Sequence, residues 1–170
     1  KLVVQEVEYA TLGGRKVRGH LARPLEASGP LPGLIVIQEW WGLNDNVRAM
    51  AERFAGEGYL VLAVDLYEGT VATTSDAALA TMQAAMKDPA RLVDNLRQAH
   101  AWLKGAGATK VGVVGWCFGG GWSLATALEL GDGTGRRLRV SLLGALPANV
   151  HELLTSVASV AALSLEVATL

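Results

Sequence analysis

Gly115-Trp116-Cys117-Phe118-Gly119 sets one reactive side chain between two glycines. The apolar run Val111-Gly112-Val113-Val114 before it reads as a strand, and the stretch from Gly119 to about Leu130 reads as a helix. A reactive residue at such a strand-to-helix turn is a nucleophile elbow, here with Cys as the attacking group. The turn is so tight that side chains on its neighbours would clash, and glycine also tolerates the backbone angles it demands. The elbow aims the sulfur at the positive end of the following helix, where an anion is favoured. The chemistry open to such a thiol is covalent catalysis. The plainer alternative is a structural Cys, packed as a small hydrophobe.

The elements that must position Cys117 are legible on either side of it. Leu2 to Tyr9 alternates and is rich in Val, Gly13-Gly14 supplies a turn, and Lys16 to Ala22 completes a hairpin. Leu34-Ile35-Val36-Ile37 and Tyr59 to Val64 are short apolar runs, as expected of strands covered on both faces. Between them Val47, Met50, Ala51, Phe54 and Ala55 recur at helical spacing, and Gly56 and Gly58 stop that helix. Ser75 or Asp76 can cap a helix carrying Leu79, Met82 and Met86. Asp88-Pro89 opens another, with Leu92, Leu96, Ala99 and Leu103 as its stripe and Gly105 as its stop. Alternating strand and helix predicts a parallel sheet with crossover helices. Groups just past the strand ends then share one edge. Glu39, Asp65 and Cys117 all fall there.

Composition narrows the function classes. Across 170 residues, 51% hydrophobic and 18% charged content predicts a globular chain, read as one domain over 1–170. A formal net charge of −1 gives no field for nucleic acid. One Cys excludes an internal disulfide and a Cys-rich zinc site, and no metal cluster or phosphate-binding loop is visible. No long apolar run or leader pattern points to a membrane, so the expectation is a cytoplasmic chain without cofactor or metal.

The elbow, the turn Gln38-Glu39-Trp40-Trp41-Gly42 and the sequence Asp65-Leu66-Tyr67 together resemble the dienelactone hydrolase family, from about Val3 to about Leu130. The resemblance implies an α/β-hydrolase-like three-layer sandwich with an N-terminal hairpin and a mostly parallel sheet. It implies a hydrolase that opens a lactone or carboxylic ester. Cys117 is then the nucleophile, and Glu39 the carboxylate that contacts the resting thiol and helps form the thiolate. The backbone N–H groups of Phe118 and Trp40 form the oxyanion hole, and Trp41, Trp116 and Tyr67 line the substrate pocket. Read without the resemblance, Glu39 is a solvated strand-end carboxylate and the Trp side chains are core.

Two departures accompany it. Members acting on dienelactone place an Arg soon after Asp-Leu-Tyr to hold the substrate carboxylate; here Glu68-Gly69 follows Tyr67. A neutral ester or lactone is therefore as good a candidate substrate as an anionic one. Beyond Gly131 the character also changes: no Phe, Trp or Tyr follows Trp122, and no Lys follows Lys110. The family's later Asp turn and His loop have no match. Asp132 is too near the elbow helix, and His151 is the one His available as base, adjacent to Glu152 rather than facing it. The reading is a family-like core over 1–130 and a divergent 131–170. In that tail Arg139 to Leu143 and Val160 to Val167 could form strands, and His151 to Ser159 a short helix. The chain is expected to be an incomplete family member, or one whose tail runs in a shifted frame. Three alternatives stay open: a non-catalytic, self-associating domain, a redox-responsive thiol without a second Cys to resolve it, and a Ser hydrolase using Ser123.

Overall fold

The computed structural model describes residues 1–130. β1 (Leu2–Leu12) and β2 (Arg15–Pro24) form an antiparallel hairpin in which Leu12 faces Arg15. Gly13 and Gly14 close it with φ of 55° and 80°. Positive φ at both centres of a two-residue loop is the geometry that follows strand twist, and glycine adopts it without steric cost.

β3 (Gly33–Ile37), β4 (Leu60–Ala63) and β5 (Val111–Gly115) complete a sheet of order β1-β2-β4-β3-β5 among the described residues. β3 runs parallel to both β4 and β5, while β2 meets β4 antiparallel. Parallel neighbours need long crossovers. α1 (Asp45–Gly56) supplies the first; α2 (Ser75–Ala85) and α3 (Pro89–Gly105) supply the second. α4 (Phe118–Leu130) leaves the end of β5.

Side chains alternate across the sheet and build two cores. Ile35, Ile37, Leu60 and Leu62 join Leu92, Leu96, Ala99 and Leu103 of α3 on one face. Val36, Val61 and Ala63 join Val47, Ala51 and Ala55 of α1 on the other. This is the expected three-layer arrangement, with the central strands buried from both sides. Each fully buried Ile or Leu contributes about 1.5–3 kcal/mol.

The helix starts follow their caps. Asn44 accepts the Val47 N–H at 3.1 Å, and Asp88 accepts the Arg91 N–H at 3.1 Å with Pro89 opening the helix. α2 corrects the expectation by one position. Its cap is Thr74, whose Oγ1 accepts the Ala77 N–H at 3.3 Å, rather than Ser75 or Asp76. Three neighbouring residues here could all cap, so composition leaves the choice open. Among the described residues no helix is long and apolar enough to cross a membrane.

Candidate active site

β5 delivers the chain to Trp116, and α4 begins two residues later. Cys117, between them, has φ of 53° and an exposed thiol. The left-handed backbone therefore falls on the Cys itself and not, as expected, on the flanking glycines. The glycines serve close approach. A Cβ on Gly119 would lie 2.5 Å from the carbonyl oxygens of both Ile37 and Gln38, and one on Gly115 would strike the Gly119 carbonyl. The Cys117 carbonyl accepts the Gly120 N–H at 3.0 Å and so starts the helix at whose N-terminal end the sulfur stands. Ser123 is committed elsewhere, its hydroxyl donating to the Gly119 carbonyl at 2.8 Å.

Three loops converge on Gln38, which is completely buried. Its side-chain oxygen accepts the Leu66 N–H at 3.1 Å, and its main chain packs against Gly119. Its amide nitrogen has no partner among the described residues. The loop after β4 is fixed further by Asp65, whose carboxylate accepts the N–H groups of Tyr67 at 2.9 Å and Gly69 at 2.6 Å. Burial holds the Asp65 pKa above the ordinary carboxylate value, against the pull of those two bonds. A register shift in β1 at Tyr9 turns that ring inward. Its oxygen accepts the Asp65 N–H at 3.0 Å and donates to Asn95 at 2.7 Å. The Ala72 N–H donates to the Trp41 carbonyl at 2.8 Å, tying the loop after β4 to the turn after β3. Neither Gln38 nor Asn95 was singled out from the sequence. The available signal for Gln38 was a lone amide between an all-apolar strand and Glu39.

Glu39, Trp40 and Trp41 follow β3 as half-buried residues. The two indoles meet edge to face at 5.2 Å. The backbone N–H groups of Trp40 and Phe118 donate to no protein acceptor among the described residues. Trp116 and Phe118 diverge. Trp116 stacks on Phe54 of α1 at 6.4 Å, whereas Phe118 lies 5.5 Å from Tyr67 and 6.4 Å from Trp122. His20 is held on the α1 side by Glu52 at 3.1 Å and Arg48 at 3.2 Å, and His100 sits on α3. His151 and the expected elements of the tail lie outside the described residues. No group of three or more His, Cys, Asp or Glu among the described residues could hold a metal ion.

Glu68 follows Asp65-Leu66-Tyr67, the stretch after which the resemblance implies an Arg and none stands. It too is left-handed, at φ 52°, and its carboxylate accepts from Arg91 Nε at 2.6 Å. That bond lowers the Glu68 pKa below its ordinary 4.5. Because the folded value lies below the unfolded one, the pair stabilises the fold above pH 4.5 and is lost as pH falls through the folded pKa. Glu68→Gln should cost about 1 kcal/mol at pH 7, with the gap closing toward pH 3. Urea midpoints at the two pH values test this; an equal gap at both would contradict it.

A mixed sheet whose parallel strand β5 ends in a left-handed Cys between close-packed glycines is the arrangement of an α/β-hydrolase-type fold. The chain belongs to the dienelactone hydrolase family, whose model matches residues 17–136. It is 38% identical over 135 residues to Protein usf of Aquifex pyrophilus, covering 75% of this chain and 57% of that protein. It is 35% identical over 123 residues to a candidate carboxymethylenebutenolidase of Aquifex aeolicus (strain VF5), covering 68% and 52%. Among solved structures, a dienelactone hydrolase-like promiscuous phosphotriesterase from metagenomic libraries superposes with a TM-score of 0.69 at 26% identity, covering 88% of this chain and 63% of that one. The chain spans about half the length of the curated relatives it matches.

Proposed function

We propose that this chain carries the acylation machinery of an ester or lactone hydrolase with Cys117 as nucleophile. The observation that carries the reading is the exposed Cys117 at φ 53°, a conformation that costs a Cβ-bearing residue energy and recurs where chemistry needs it. The sulfur attacks the carbonyl carbon and forms a C–S bond, while the carbonyl π pair moves onto oxygen. The N–H groups of Phe118 and Trp40, without protein acceptors among the described residues, are available to that oxyanion. Collapse re-forms the carbonyl and expels the alcohol oxygen. Glu39, the carboxylate nearest in sequence to Trp40, takes the thiol proton and returns it to that oxygen. Water then cleaves the thioester, regenerating the thiol and releasing the acid. His151 is the base this sequence offers for that step. With Glu68 following Tyr67 and no Arg there, a neutral ester or lactone is as good a substrate as an anionic one.

Rapid mixing of the 170-residue chain with nitrophenyl acetate tests the reading. The expected result is a burst of about one nitrophenol per Cys117, followed by turnover slower by about 10²–10⁴ if general-base help to water is poor. Cys117→Ala should show no burst. Release that is the same in wild type and Cys117→Ala would refute the nucleophile; a sustained Cys117-dependent rate would place a working base within the chain.

A further inference from the structure

β3 and β4 separate just before the turn that carries Trp40, and Gln38 spans the gap. At the end of the ladder the Val64 N–H donates to the Val36 carbonyl at 3.0 Å. In a parallel pair the next such bond, two residues on, would join the Leu66 N–H to the Gln38 carbonyl. That carbonyl lies against α4 instead, 2.5 Å from where a Gly119 Cβ would stand. The Gln38 side chain takes its place, and Oε1 accepts the Leu66 N–H at 3.1 Å. Leu66 and Gln38 are both buried, so without that oxygen the N–H would be left unpaired away from water. The same loop holds the turn at its other end. There the Ala72 N–H donates to the Trp41 carbonyl at 2.8 Å, and Gly42 packs too closely on the Thr70 carbonyl for any Cβ. Glu39, Trp40 and Trp41 are therefore strung between two fixed points on one loop.

We propose that Gln38 is a positioning residue: by accepting the Leu66 N–H, its side chain sets the Trp40 N–H in line with that of Phe118, the two donors to the oxyanion. This rests on the role proposed above for those N–H groups. The path is short. Gln38 stands two residues before Trp40, and its carbonyl lies against Gly119, the residue after Phe118. It thus adjoins the chain beside both donors. Charge on the attacked carbonyl oxygen develops only toward the transition state, so a donor moved off line slows acylation and leaves ester binding unchanged. A displacement of about 1 Å is enough to cost about 10²-fold in rate. Nε2 has no acceptor among the described residues and plays no part in this role.

The test compares two reactions of Cys117, the one Cys of the 170-residue chain. Nitrophenyl acetate acylates the thiol through an oxyanion. Iodoacetamide alkylates it with iodide leaving, and no oxyanion forms. Gln38→Met keeps the side-chain length and removes the acceptor. It should lower the maximum burst rate by about 10–100-fold, with the half-saturating ester concentration and the alkylation rate within about twofold of wild type. Gln38→Glu restores an acceptor oxygen in either protonation state and should acylate within about threefold of wild type. A Gln38→Met burst as fast as that of wild type overturns the proposal. So does a fall in alkylation that matches the fall in acylation. Where Gln38→Met does not fold, as read by its urea midpoint, Gln38→Glu decides. A burst slower there by about tenfold or more, with alkylation unchanged, would mean that the acceptor is not what the turn needs. Release that does not depend on Cys117 removes the proposed nucleophile and this inference with it. Cys117-dependent release that is unchanged in Gln38→Met removes this inference alone.

Discussion

Gly119→Ala is expected to destabilise the chain by about 3 kcal/mol and to disturb Cys117 reactivity, although Ala is the better helix former. The new Cβ would sit 2.5 Å from two carbonyl oxygens, those of Ile37 and Gln38. Both belong to backbone, at the end of a strand hydrogen-bonded on each side. Nothing flexible can yield, so either α4 or the end of β3 must shift by roughly 0.5–1 Å, the distance needed to reach ordinary contact. The gain in helix propensity, at most about 1 kcal/mol and smaller in the first turn, does not offset this. The shift also moves Cys117 relative to the Trp40 N–H. Gly121→Ala is the matched control: the same helix, two residues on, with nothing within 4 Å of the added Cβ. It should stabilise by about 0.5–1 kcal/mol. Opposite signs from the same substitution in one helix isolate the close approach as the cause. Urea unfolding read as midpoints at constant slope measures both. Equal midpoints would show that α4 does not press on β3 as the structure has it.

The contrast between what the sequence discloses and what it hides follows the range of the forces involved. The elbow is legible because two glycines bracket one reactive residue within five positions, even though the close approach that requires Gly119 is to Ile37 and Gln38, far along the chain. The shared edge of Glu39, Asp65 and Cys117 is legible because alternating strand and helix places every strand end on one side. The Gly13-Gly14 hairpin and the Asp88-Pro89 helix start are likewise written within four residues. Other features depend on partners far along the chain. Trp116 and Phe118 flank Cys117 symmetrically in sequence, yet one stacks on Phe54 and the other against Tyr67. Only the course of α1 and of the loop after β4 decides which. Gln38 reads as one more polar residue at a strand end. Its burial and its bond to the Leu66 N–H exist because β3 and β4 end side by side. Glu68 reads as a missing Arg, whereas in the fold it pairs with Arg91 of α3. That the positive φ belongs to Cys117 rather than to a glycine follows from the path between β5 and α4, which composition does not specify.

That positive φ leads to a second large effect, in which stability and chemistry move in opposite directions. Cys117→Gly should abolish the burst completely while raising stability by about 1 kcal/mol. The reasoning separates the two things a Cys side chain brings to this position. On the function proposed above the sulfur is the attacking group; the Cβ supplies only steric opposition to φ 53°, because the thiol is exposed and little apolar burial is lost with it. Cys117→Ala removes the first and keeps the second, so it should be inactive with nearly unchanged stability. Cys117→Gly removes both, and the strain is relieved, less the extra freedom glycine adds to the unfolded chain. Cys117→Val keeps the Cβ and branches it, which a left-handed residue tolerates worst, and should be the least stable of the three. All three lack the burst, whereas thermal midpoints should fall in the order Gly, Ala, Val, with Gly above wild type by about 2–4 °C. Gly and Ala melting together would mean that the elbow stores no strain at Cys117. The predicted order instead implies that the fold holds this residue in an unfavourable backbone state, which sets the sulfur at the N-terminal end of α4.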